Sequence, residues 1–124
     1  MIVNELRVGN YVTTGKKEWI ISVVSDSNEV RVTDGKFTAI AQIPINEIHP
    51  IPLTEEWLLN FGFDKPNSKR PYHFKKSSTE FLWSEYQYEL KCFCNDINMF
   101  SFPCKYVHTF QNIYYSITGQ ELTI

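Results

Sequence analysis

Four side chains able to bind soft metals fall within seventeen residues: Cys92, Cys94, Cys104 and His108. Cysteine and histidine are the ligands of tetrahedral zinc sites, so a Cys3His centre is the first chemistry to weigh. The spacing argues against it. Cys-x-Cys in a strand turns both thiols to one face, whereas a zinc knuckle uses a gap of two to four residues. Phe93, Phe100 and Phe102 lie around the pair, so the thiols read as small buried apolar groups. Cys104 and His108 stand four apart, a spacing at which an imidazole can activate a thiol, but Cys104 precedes the expected helix and no third residue is placed to orient the base. Glu80, Glu85 and Glu89 fall in a turn-rich stretch and read as solvated carboxylates. Five glycines occur singly, at positions 9, 15, 35, 62 and 119, so neither a dinucleotide fingerprint nor a phosphate loop is present. The expectation is a chain with no catalytic set, no cofactor and no metal, and hence not an enzyme.

Charge is distributed unevenly. Residues 65–76 contain Lys65, Lys69, Arg70, Lys75 and Lys76 and no acid, a local charge of +5, while residues 1–64 carry −4 and residues 77–124 carry −3. Tyr72, His73 and Phe74 are interleaved with these bases. Cations beside aromatic rings hold phosphates and stack bases, so Lys65, Lys69, Arg70, Tyr72, Lys75 and Lys76 form a candidate nucleic-acid surface. The plainer reading is a solvated loop.

A second candidate surface lies near the end of the chain. Tyr106, Phe110, Ile113, Tyr114 and Ile117 recur at helical spacing over about Lys105–Thr118 and make an apolar stripe. Opposite it stand His108, Gln111, Asn112 and Tyr115, none charged at pH 7. A solvated helix face normally carries Lys and Glu, so this face is either covered by the rest of the fold or touches a partner, a second copy included.

These groups need elements to position them. The first fifty residues read as short strands joined by tight turns: Tyr11–Thr13, Trp19–Val24, Glu29–Val32, Phe37–Ile43, and an extended piece from Pro44 to Ile48. Asp34-Gly35 is a strong hairpin signal. Five strands at this spacing suggest a small barrel or a strongly bent sheet, and Leu6-Arg7-Val8-Gly9-Asn10-Tyr11-Val12 resembles the entry of a Src-homology-3-like barrel. Pro50 and Pro52 mark a connector. Thr54 then caps a helix with Glu55 and Glu56 in its first turn, Trp57, Leu58 and Phe61 on one face, and Gly62 and Phe63 set for a Schellman stop. Strand-like pieces follow at Tyr72–Phe74, Phe81–Trp83, Tyr86–Phe93 and Met99–Phe102, before the last helix. The expected fold class is α+β: a barrel-like part over 1–52, then an antiparallel sheet with two helices over 53–124, with one fused domain as the alternative.

At 124 residues, 43% hydrophobic and 15% aromatic, the chain has enough apolar material to fold without staples. A net charge of −2 gives no whole-molecule attraction to nucleic acid or anionic membrane. No apolar run is long enough to span a bilayer, no secretory signal is seen, and an odd cysteine count points to the cytoplasm.

Three stretches carry a resemblance: Leu6-Arg7-Val8-Gly9-Asn10-Tyr11-Val12; Ile51-Pro52-Leu53-Thr54-Glu55-Glu56-Trp57-Leu58-Leu59 with Phe61-Gly62-Phe63; and Lys105-Tyr106-Val107-His108 through Gln111-Asn112-Ile113-Tyr114 to Leu122. In order and spacing they resemble an uncharacterised small-protein family of gut Bacteroidota and of their phages and integrated elements. Thr109 and Phe110 depart from that pattern, where Gln and Leu are expected. The resemblance implies a bacterial or phage cytoplasmic protein and no activity. The function expected is a non-enzymatic module acting through a protein partner or self-association, and alternatively a nucleic-acid-binding accessory protein.

Overall fold

The computed structural model describes residues 5–24, 29–34, 40–65, 73–76, 79–84, 88–94 and 98–124, with the backbone alone at 92–94 and 98–100. The fold is α+β, with two antiparallel sheets and two helices. Two compact units divide it: Met1–Pro52 with Tyr106–Thr123, and Leu53–Lys105 with Ile124. The C-terminal helix therefore belongs with the N-terminal strands, whereas the sequence reading grouped it with 53–124.

The first unit is built on β1 (Tyr11–Thr13), β2 (Glu18–Val24), β3 (Glu29–Thr33), β4 (Ile40–Pro44) and β5 (His49–Pro50). They pair in the order β4-β3-β2-β1-β5, every pairing antiparallel. β4 and β5 are the two edges, and no pairing closes the sheet into a barrel among the described residues. Alternation along the strands sends Val12, Ile21, Val30, Val32 and Ile43 inward, where Leu6 and Ile48 complete the core. Each such side chain is worth roughly 1.5–3 kcal/mol on burial. The register of β2 shifts between Ile21 and Val23, a bulge that bends the strand.

Residues 44–48 differ from the extended piece expected from Pro44. Ile45–Glu47 form a 3-10 turn, closed by the Ile48 N–H donating to the Ile45 carbonyl at 3.2 Å, and only His49–Pro50 pair as a strand. Pro44, with φ −59, sits ahead of the turn, where its missing N–H costs nothing.

The second unit opens with α1 (Glu55–Asn60). The Trp57 N–H donates to the Thr54 side chain, and the helix stops as a Schellman motif: Gly62, at φ +95, donates to the Leu59 carbonyl at 3.0 Å and Phe63 to that of Leu58 at 3.1 Å. β6 (His73–Lys76), β7 (Thr79–Ser84), β8 (Glu89–Cys94) and β9 (Asn98–Pro103) then form a meander in sequence order. Its core holds Leu58, Phe61, Phe63, Phe74, Phe81, Trp83 and Leu90. Phe74 sits opposite Phe81 and Trp83 opposite Leu90, while the Trp83 indole donates to the Cys104 carbonyl at 2.9 Å.

Candidate functional site

The polar residues singled out near the C-terminus lie on α2 (Val107–Thr118), in the first unit. The helix is rotated relative to the expected stripe. Val107, His108, Phe110, Gln111 and Tyr114 are buried, Ile113 is half-buried, and Ile117 is 40% exposed. Gln111 turns inward because the opposing turn offers its amide a full set of partners.

That turn runs from Arg7 to Asn10. The Asn10 N–H donates to the Arg7 carbonyl at 3.1 Å, and Gly9, at φ +96, takes a conformation that other residues adopt only under strain. The Asn10 side chain closes it again, accepting from the Arg7 N–H at 2.7 Å. Gly9 and Asn10 also bond to Ile21, so the turn is fixed to β2.

Gln111 Oε1 accepts from the Tyr11 N–H at 2.9 Å and from Asn10 Nδ2 at 3.5 Å. Its Nε2 donates to the carbonyls of Gly9 at 2.9 Å and Leu122 at 3.2 Å. A side-chain amide offers two donors and two acceptor positions, and all four are used. Asn112 lies alongside: its Oδ1 accepts from Arg7 and from Asn10, each at 2.9 Å, and its Nδ2 donates to the Glu5 carbonyl at 2.8 Å. The two amides form a bracket holding residues 5–11 and the segment after α2 to the helix.

Arg7 extends the bracket to the surface. Its guanidinium lies 4.0 Å over the Tyr115 ring and pairs with Glu121. Beside this pair lies an open depression of about 520 Å³, lined by Arg7 and Glu121 together with Leu6, Val8, Gly9, Val24 and Thr123. Val8 is 58% exposed there, although the turn that carries it is pinned on both sides.

His108 is 2% exposed and stacks on the Tyr106 ring, with centroids 5.9 Å apart. Its Nε2 lies 3.6 Å from the Glu5 carboxylate, and its Nδ1 has no hydrogen-bond partner. Burial holds the imidazole below its ordinary pKa range, against the opposing pull of Glu5. Of the four candidate partner-binding residues, His108 and Gln111 are thus buried, Asn112 is half-buried and Tyr115 is exposed beneath Arg7. The uncharged character of this helix face reflects burial against the chain's own backbone.

The basic segment is described only in part; Lys69, Arg70 and Tyr72 lie outside the described residues. Lys65 pairs with Glu55 at 2.6 Å, and Lys75 lies 3.8 Å from Glu80, its partner across the β6–β7 ladder. Lys76 donates to the Phe61 carbonyl at 2.7 Å, where a cation suits a helix C-terminus. Each described lysine of the segment is engaged within its own unit. Cys104 is buried in the second unit, while His108 belongs to the first. The side chains of Cys92 and Cys94 lie outside the described residues. No group of three or more His, Cys, Asp or Glu suited to a metal occurs among the described residues.

Arg7, Asn10, Glu5 and Glu121 carry the site and were not candidates in the sequence. The trace they left was the pairing of two motifs, Arg7-Val8-Gly9-Asn10 and Gln111-Asn112, which the fold brings into contact across about a hundred positions. No family model, curated protein or solved structure matches the chain. Among the described residues, no helix is long and apolar enough to cross a membrane.

Proposed function

We propose that this protein is a non-enzymatic binding module acting through protein–protein contacts. The observation that carries the reading is the depression beside the bracket, where Val8 stands exposed on a pinned turn next to the Arg7–Glu121 pair. An apolar centre inside a polar rim is the anatomy of a protein contact patch, and a backbone ordered in advance lowers the cost of association. The strand order β4-β3-β2-β1-β5, with a 3-10 turn ahead of β5, supports reading this unit as Src-homology-3-like, a likeness of scaffold that carries no function by itself. The odd cysteine count favours a cytoplasmic setting. Nucleic acid is the competing partner class. The engagement of Lys65, Lys75 and Lys76 with acids and a carbonyl favours protein instead.

The test is affinity capture from a lysate of the source cells, comparing the wild type with Val8→Asp. At an exposed position the substitution changes stability by no more than about 0.5 kcal/mol. The expected result is a protein captured in nuclease-treated lysate by the wild type and lost with Val8→Asp. Equal capture by both chains, or capture that vanishes with nuclease, overturns the reading.

A further inference from the structure

We propose that a second copy of this chain docks on the β4 edge, extending the five-stranded sheet by antiparallel pairing of β4 with β4 about a two-fold axis at Gln42. The proposal goes beyond the reading above and uses different residues.

An edge strand presents a row of unpaired backbone donors and acceptors, whose natural complement is another strand. Native proteins blunt such edges with charges, very short strands or covering segments. Two edges here are blunted in that way. Asp64 covers β6 by exchanging two 2.8 Å hydrogen bonds with Lys75, and β5 is two residues long and leads into a bridge between Pro52 and Tyr106. Among the described residues β4 has no such protection apart from Pro44 at its end: Ile40-Ala41-Gln42-Ile43-Pro44 contains no charge. Ile40 is 71% exposed, more than any other large hydrophobic side chain described.

The strand is also complementary to itself. Pairing about Gln42 sets Ile40 opposite Pro44 of the second copy, Ala41 opposite its Ile43, and Gln42 opposite its Gln42. Alternation keeps Ile40, Gln42 and Pro44 on the outer face of both copies and Ala41 and Ile43 on the core side. Apolar thus meets apolar, and amide meets amide. On the adjacent strand β3, Glu29 and Arg31 lie opposite Pro44 and Gln42, and Glu29 accepts from the Gln42 amide, so each copy brings one charge of either sign beside the axis. A two-fold axis uses the same patch twice, which commits the occupant to this chain.

Sedimentation equilibrium on the purified full chain tests it, with Gln42→Lys, Gln42→Glu and Val23→Lys. Gln42 is exposed, and in one copy a lysine there lies near Glu29 and a glutamate opposite Arg31, so both variants fold. The wild type should dimerise reversibly. Like charges across the axis should raise Kd about fivefold in either Gln42 variant alone, and an equimolar mixture of the two should restore association. Val23→Lys, on the same outer face but two strands in from the edge, should leave Kd unchanged. A wild type that stays monomeric to its solubility limit overturns the proposal. So does a Gln42 variant that dimerises like the wild type, a mixture no tighter than its components, or a loss with Val23→Lys equal to that with Gln42→Lys. A monomer that still captures a partner through Val8 refutes the edge contact and leaves the binding-module reading standing.

Discussion

Replacing Gln111 with leucine removes the centre of the bracket while keeping the helix and nearly the side-chain volume. The amide is fully buried and serves three backbone groups: the Tyr11 N–H, the Gly9 carbonyl and the Leu122 carbonyl. Leaving a buried polar group without a partner costs about 1–3 kcal/mol, the N–H more surely than a carbonyl that water can reach. The leucine returns part of this through the transfer of its own apolar surface. The expected net loss is about 3–5 kcal/mol, a fall in Tm of roughly 10–20 °C. Urea denaturation followed by tryptophan fluorescence and circular dichroism measures the loss. Gln111→Glu sharpens the test. A carboxylate there keeps the acceptor for Tyr11 but faces two carbonyls, so the folded state favours the protonated acid and raises its pKa. The unfolded chain then binds fewer protons in the window between the two pKa values. Stability of this variant therefore falls as pH rises through that window, by more than in the wild type. A loss below about 1 kcal/mol in Gln111→Leu, the range of a single exchanged hydrogen bond, would refute the account of a fully used buried amide.

Three further predictions rest on other parts of the fold. His108 is held neutral by burial when folded, so its contribution is fully present above the ordinary histidine value of about 6.5 and is lost as pH falls below it; urea midpoints measured across that range should show this slope, and His108→Phe should flatten it. Gly62→Ala forces a Cβ onto a residue at φ +95 and should cost about 1–2 kcal/mol, read as a lower urea midpoint with an unchanged slope. Trp83→Phe removes the indole donor to the buried Cys104 carbonyl and leaves a small void, for an expected loss of about 2–3 kcal/mol by the same measurement.

Legibility in the sequence followed the range of the interactions. α1 was readable from its Thr54 cap to its Gly62–Phe63 stop, because each signal acts within about five residues of its partner. Strands β1 to β3 were placed nearly to the residue by alternation and turn chemistry. Pro44 misled, since a residue that favours extended backbone also suits the start of a 3-10 turn. On α2, periodicity found the helix but not its orientation. Tyr106, Ile113 and Ile117 fit an apolar stripe as well as Val107 and Phe110 do, and nothing local says that Gln111 is inside. Its partners stand about a hundred positions away, so only the missing charge on that face was visible beforehand.

The most direct test of the central claim, that the surface beside the bracket is where a partner binds, is site-specific photo-crosslinking in source cells. A photoreactive side chain replaces Val8 in one strain and Leu59, 46% exposed on α1, in another. The account predicts a discrete protein adduct at position 8 that survives nuclease and is missing at position 59. Adducts at position 59 alone, or adducts at position 8 that disappear with nuclease, would contradict it.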